Sequence, residues 1–268
     1  MGSPRVSYWI ASVAACLVAS LGMSAHAETA PGSSGPSTGG SSPENGVFRF
    51  NVSPDGYPPY LIEEESRTTG IMWEVVTRIV DRLGYSVEAV KVPRKRVDQL
   101  LLGGMIDGTP RAKAWTDRPE DFLFTDPIVD IEEVIFFPAN SPANFQVIED
   151  LLSMTLVTHL GYHYPALEPY FQSGQIKRFD VPRDKDLFVY VLRGDEFDAA
   201  IADRLVGQWL LLKQGMQDQF RISSEVLSTS GLRLMLRPEW QSFARGFNRE
   251  LATMRQNGEI DTILSRYR

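Results

Sequence analysis

The stretch GIMWEVVTRIVDRLGYSVEAVKV, Gly70 to Val92, decides the fold. Ile71, Val75, Ile79 and Leu83 recur at four-residue spacing, and Met72, Val76 and Val80 fill the positions beside them. That is a broad apolar stripe on a helix, and Gly84 supplies the left-handed position at which helices stop. The last six residues, VEAVKV, read as a strand. Upstream, VFRFNV places Phe48, Phe50 and Val52 on one face of another strand, and SPDGYPPY between strand and helix is a loop dense in turn formers. Downstream, RVDQLLLGG reads as a short helix, with a further strand near Met105 to Gly108. The order β-α-β-α-β predicts an α/β fold with a largely parallel sheet.

After the apolar run VIFFP a second series opens. MTLVTHLG, IKRFDV and FDAAIAD read as strands, and YHYPALEPYFQSG, LFVYVLRG and RLVGQWLLLKQG as helices. LRLMLR is another strand. A final helix carries Trp240, Phe243, Phe247, Leu251 and Met254 on one face, ahead of Gly258. Two α/β series of similar size predict two lobes with a cleft between them, a common place for a small-molecule site.

The residues ahead of the first strand belong to targeting rather than fold. Arg5 precedes the uncharged run VSYWIASVAACLVASLGM, and Ala25-His26-Ala27 closes it with a small-x-small pattern, so residues 1–27 read as a secretory signal peptide. An uncleaved anchor ranks second. A lipoprotein box ending at Cys16 ranks lower, because the apolar run continues through Leu21. The Gly/Ser/Pro-rich stretch over residues 28–46 reads as a flexible tether.

Cleavage after Ala27 removes Arg5 and no acid, which takes the formal net charge from -7 to -8. It also removes Cys16, the only cysteine, and with it any thiol or disulfide chemistry. His159 and His163 have no carboxylate at a recognisable zinc spacing, so neither metal nor cofactor is expected. An acidic chain without basic runs argues against nucleic acid.

Within that acidic chain, GTPRAKAWTDR (Gly108 to Arg118) gathers Arg111, Lys113 and Arg118. Alternation puts Arg111 and Lys113 on one side and Ala112 and Ala114 on the other, which suits a strand end presenting both cations to one face. Such a face suits an anion.

These features, in this order, resemble those of bacterial periplasmic solute-binding proteins of family 3, which serve polar amino-acid ABC importers. The likeness runs from Val47 to Arg268. It rests on the YPPY loop, the Gly70-led helix, GGMIDG, an Arg nine residues before the Pro of FTDP, GYHY after a strand, DAAIAD and the ending MRQNGEIDTILSRY. The resemblance implies a type II periplasmic-binding-protein fold: two lobes joined by two crossover strands and closing over a ligand. Lobe one would be residues 47–138 plus 230–268, and lobe two residues 139–229. It implies a metal-independent monomer that captures a small amino acid or related carboxylate and delivers it to an inner-membrane ABC permease, without catalysis.

The resemblance also assigns residues. Arg118 would fork onto the ligand's α-carboxylate, a task suited to parallel guanidinium donors; its alternative is a surface pair with Asp117 or Asp121. Asp203, the second Asp of DAAIAD, would accept the ligand ammonium, and its alternative is the N-cap of the following helix. Gly161 to Tyr164 would offer backbone N–H groups at a helix start; His163 would add a side-chain bond or else, the favoured reading, stand solvated. Tyr57 would form an aromatic platform, or else pack within lobe one. Family members usually carry small hydroxyl or neutral residues at the places of Arg111 and Lys113, so either these two side chains turn outward into solvent or the ligand is more anionic than a plain amino acid, while Asp203 favours an amine. Two other roles use the same scaffold: a periplasmic dehydratase of cyclic amino-acid precursors, and a ligand sensor for a receptor kinase. The carboxylates of LIEEES, Glu63 to Glu65, are the acidic cluster nearest a cleft loop.

Overall fold

The computed structural model of the chain describes residues 43, 46–54, 56–65, 67–194 and 196–267. The expected leader with Cys16, and all of the tether except Pro43 and Gly46, lie outside the described residues. The chain begins with β1 (Val47–Val52), the short strands β2 (Ile62–Glu64) and β3 (Arg67–Thr69), and α1 (Ile71–Arg82). β4 (Ser86–Lys91), α2 (Val97–Leu102), β5 (Gly108–Ala112) and β6 (Leu123–Phe124) follow. β7 (Val129–Pro138) leads to β8 (Thr155–His159), α3 (Glu168–Gln172), β9 (Lys177–Val181) and α4 (Leu187–Val191). β10 (Ala199–Asp203), α5 (Arg204–Gln214), β11 (Phe220–Ile222), β12 (Ser228–Leu236), α6 (Gln241–Gln256) and α7 (Glu259–Leu264) complete it.

Ten strands form one sheet with the central order β4-β1-β5-β12-β7-β10-β8-β9. At one end β4, β1 and β5 run parallel, and at the other β10, β8 and β9 do. Between them β7 and β12 pair antiparallel over Val129–Glu133 and Ser228–Leu232. Past that stretch β12 continues onto β5, while β7 continues onto β10 and β11. These are the two crossover strands.

The apolar cores divide the same way. One cluster joins the buried face of α1 to Phe48, Phe50, Trp240, Phe247 and Leu251, so it draws on both ends of the described chain. We call this the terminal half. Two others, around Phe136 and Phe188 and around Phe137 and Tyr164, draw on residues 134–227 and make up the middle half.

Two glycines set how the site-bearing segments dock. Gly70 has φ +110, and a Cβ there would sit 2.6 Å from the Tyr60 carbonyl oxygen. Because only glycine fits, the start of α1 lies directly on the YPPY loop: Ile71 N–H donates to the Pro59 carbonyl (3.0 Å) and Met72 N–H to the Tyr60 carbonyl (2.9 Å). Helix-terminal donors that would otherwise lack partners thereby hold the loop in place. In α5, a Cβ on Gly207 would stand 2.1 Å from the Phe136 ring. That ring is itself wedged against Phe188 at 5.0 Å between centroids. Gly207→Ala should therefore destabilise the protein by about 1–2 kcal/mol, since overpacking outweighs the gain in helix propensity. Urea denaturation would check this; unchanged stability would mean that α5 is not fixed by that contact.

Candidate ligand cleft

The parallel strands of each half end towards loops that carry the chemistry, as expected at the carboxyl edge of α/β sheets. In the terminal half these loops follow β1, β4 and β5. Tyr57 stacks on Tyr60 (5.2 Å, 27°) and meets the edge of Trp115 at 6.2 Å. The Arg94 guanidinium lies over the Trp115 ring, 6.0 Å from its centroid. Arg118 extends into solvent with 72% of its side chain exposed, and its Nη2 reaches Asp121 Oδ2 at 3.0 Å. An exposed pair at this spacing holds its partners only weakly, so Arg118 can be recruited elsewhere at little cost.

In the middle half the loops follow β8, β9 and β10. Gly161 takes φ +81 and is exposed, as is His163. Among the described residues, the N–H groups of Gly161 and His163 donate to no acceptor. Tyr162 packs on His159 at 4.2 Å between ring centroids. His159 Nδ1 lies 2.9 Å from the Leu160 carbonyl, which can only accept, so that nitrogen carries the proton; Nε2 faces Asp184 Oδ1 at 3.6 Å. Burial raises the Asp184 carboxyl, opposed by the His159 charge.

The two walls sense each other. Burial pushes the Tyr57 hydroxyl well up, and negative charge at Asp203, Tyr162, Tyr60 and Asp184 adds to the shift. Burial likewise lifts the Tyr162 hydroxyl to about 12, with Asp184 adding to the rise and Arg94 of the opposite wall opposing it.

Asp203 joins the halves. It caps α5 through Oδ1, which accepts from Val206 N–H (2.9 Å) and also from the Tyr60 hydroxyl (2.9 Å), while Oδ2 accepts from Glu132 N–H (3.1 Å). Desolvation nevertheless dominates and raises this carboxyl to about 6, the bonds from Val206, Tyr60 and Glu132 pulling the other way. Asp203 also borders a cavity of about 410 Å³ between the start of β7, the start of α5 and the α6–α7 end. That cavity includes none of Tyr57, Trp115, Arg118, Gly161 or His163.

Three sequence expectations need correction. Gly161 to Tyr164 do not open a helix, because α3 starts only at Glu168 and the intervening residues form turns. Tyr164 itself is buried in the core against Phe171 and Arg178, with its hydroxyl near His159 N–H. Finally, Arg111 and Lys113 do not share a strand face. β5 ends at Ala112, and Lys113 opens a 3₁₀ turn over Lys113–Trp115. Lys113 is exposed with Nζ 5.5 Å from the Phe124 ring centroid, whereas Arg111 is buried and bonded to Asp98 Oδ1 at 2.9 Å. Of the three glutamates, Glu63 pairs with Lys91 at 3.1 Å, and Glu63 and Glu64 belong to the β2–β3 hairpin, with Glu65 in its turn.

Residues 49–268 match the model of the bacterial extracellular solute-binding proteins, family 3. The chain belongs to that family. Among solved structures it is similar to a mutant of ArgBP from T. maritima, with a TM-score of 0.62 at 22% identity, covering 83% of this chain and 95% of that one. It is also similar to the ancestral amino-acid-binding protein AncCDT-1, described as a precursor of cyclohexadienyl dehydratase (TM-score 0.63, 18% identity, 83% and 95% covered). A third likeness is to a histidine kinase sensor domain with similarity to periplasmic binding proteins (TM-score 0.66, 18% identity, 82% and 95% covered). No curated protein matches the sequence. At these identities the structures establish the fold alone, the two-lobed type II architecture.

Proposed function

We propose that this family 3 protein is an exported receptor that captures a small amino acid or related carboxylate and delivers it to an ABC permease in the inner membrane. It works in the periplasm as a monomer, with residues 47–138 plus 230–268 as lobe one and residues 139–229 as lobe two. The observation that carries this reading is in lobe one: an exposed Arg118, whose ion-pair partner among the described residues is Asp121, follows three residues after Trp115, the ring that Tyr57 meets edge-on. In lobe two the N–H groups of Gly161 and His163 have no acceptor among the described residues. A guanidinium fork and two backbone donors suit a carboxylate, and the rings suit the carbon skeleton beside it. Asp203 contributes the negative pole and the join between lobes. Because its oxygens already accept from Tyr60, Val206 and Glu132, a ligand ammonium has to share one of those oxygens.

The test is a thermal-shift screen of amino acids, dicarboxylates and polyamines. A cleft ligand at a hundredfold excess over Kd should stabilise the protein by about 2.7 kcal/mol. The absence of any stabilising compound would reject the receptor reading. Conversion of a stabilising compound into product would favour the dehydratase alternative. Ligand-dependent docking to a receptor kinase's periplasmic domain, without permease binding, would favour the sensor.

A further inference from the structure

Arg94 stands in the 3₁₀ turn after β4, on the lobe-one wall of the cleft. It rests on Trp115, and among the described residues no carboxylate forms an ion pair with it. Behind that turn lies Arg111, 7% exposed, whose Nη2 bonds to Asp98 while its Nε has no hydrogen-bond acceptor. A buried guanidinium with an unmet donor is costly, and here a second guanidinium adds to the cost. Burial lowers the Arg111 pKa and the Arg94 charge lowers it further, against Asp98 and Asp117.

The acids of lobe two and of the crossover strand β7 are already engaged. Asp203 is bonded as described, Glu133 accepts from the Ser228 hydroxyl at 2.6 Å, and Asp184 faces His159. A cationic ligand end would meet Arg94 and Arg111 on one wall and occupied carboxylates on the other. An anionic end would give Arg94 the partner it lacks and offset the charge behind it.

Resting on the receptor reading above, we propose that the cleft selects a ligand with two acidic groups, an acidic amino acid or a dicarboxylate. Arg118 holds one carboxylate. Arg94, seated on Trp115 and backed by the buried charge of Arg111, holds the second. Trp115 fixes the plane and reach of the Arg94 guanidinium, so selectivity arises from a positioned fork as well as from net charge.

Calorimetric titration of the purified protein with L-glutamate, L-aspartate and glutarate, against L-glutamine, L-asparagine and L-lysine, tests this. The acidic set should bind roughly tenfold or more tightly than the amides and lysine. Arg94→Met should remove roughly tenfold of affinity for the acidic set and change amide binding by less than about twofold. Arg94→Lys should keep part of the preference, since it retains the charge without the fork. Tighter binding of an amide or lysine would overturn the proposal and leave the receptor reading standing. An unchanged acid-to-amide ratio in Arg94→Met would do the same. Binding of none of the six would count against amino-acid capture and this proposal together. The side chain is exposed, so an unchanged melting temperature should accompany the loss.

Discussion

Arg118→Ala should fold like the wild type and bind its ligand roughly thirtyfold more weakly or worse. The two halves of this expectation have separate causes. In the free protein Arg118 is mostly exposed and, among the described residues, its ion-pair partner is Asp121, three residues along; such a pair contributes at most a few tenths of a kcal/mol to folding. In the bound state the same guanidinium would be the principal partner of a carboxylate withdrawn from water between two lobes. Removing it leaves that charge desolvated and unpaired, which costs about 2–5 kcal/mol. Arg118→Lys should fall between, because a point charge cannot match both carboxylate oxygens at once. Titration of whichever compound stabilises the protein checks the affinity, and a melting curve checks the fold. Unchanged affinity with an unchanged melting curve would remove Arg118 from the site and leave the exposed Arg118–Asp121 pair as ordinary surface.

Much of the architecture was legible because it is written locally. The α1 stripe survives as the buried set Ile71, Met72, Val75, Val76, Ile79 and Val80, and the strand after it appears as β4. DAAIAD marked β10 and placed Asp203 at its end. What failed depends on partners distant in sequence or on breaks in local pattern. YHYPALEPYFQSG has helical spacing, but Pro165 disfavours helical geometry at Tyr164, and the helix is deferred to Glu168. The alternation through Arg111 and Lys113 assumed a strand that the 3₁₀ turn cuts short. Arg111 then finds Asp98 on α2, a pairing that no spacing within GTPRAKAWTDR announces. Trp115, Arg94, Tyr162, His159 and Asp184 went unassigned. Each lies at or just beyond the end of a strand read from sequence, so the carboxyl-edge rule was the signal that could have found them. The β2–β3 hairpin was hidden by its charges, since two glutamates and an arginine do not look like strand residues. The bond between Tyr60 and Asp203 joins positions 143 apart, and only the closed topology brings them together.

Burial of the Asp203 carboxyl makes the protein's stability depend on pH in an unusual direction. Asp203 is 8% exposed, and its folded-state pKa rises from the ordinary 3.8 to about 6 because desolvation exceeds the help of its hydrogen bonds. The sign follows from linkage: with the native pKa above the unfolded one, the native state binds more protons in the window between them. This group's contribution is therefore most favourable below about pH 4, declines as pH rises towards 6, and stays flat above. The gap corresponds to about 3 kcal/mol. Most other carboxylates act in the opposite sense, so the comparison has to be made with Asp203→Asn, which does not titrate. The difference in unfolding free energy, wild type minus Asp203→Asn, should fall by about 2 kcal/mol between pH 4 and pH 7. A flat difference would mean that the carboxylate is not desolvated as its surroundings imply. Tyr60→Phe supplies the internal check. It deletes a bond that lowers the Asp203 pKa, so it should carry the decline to higher pH while leaving the N-cap bond to Val206 in place. The high-pH cost is the charge held ready at the junction of the lobes. A ligand ammonium that shares an Asp203 oxygen would relieve it, and affinity for such a ligand should then climb as pH rises through 6.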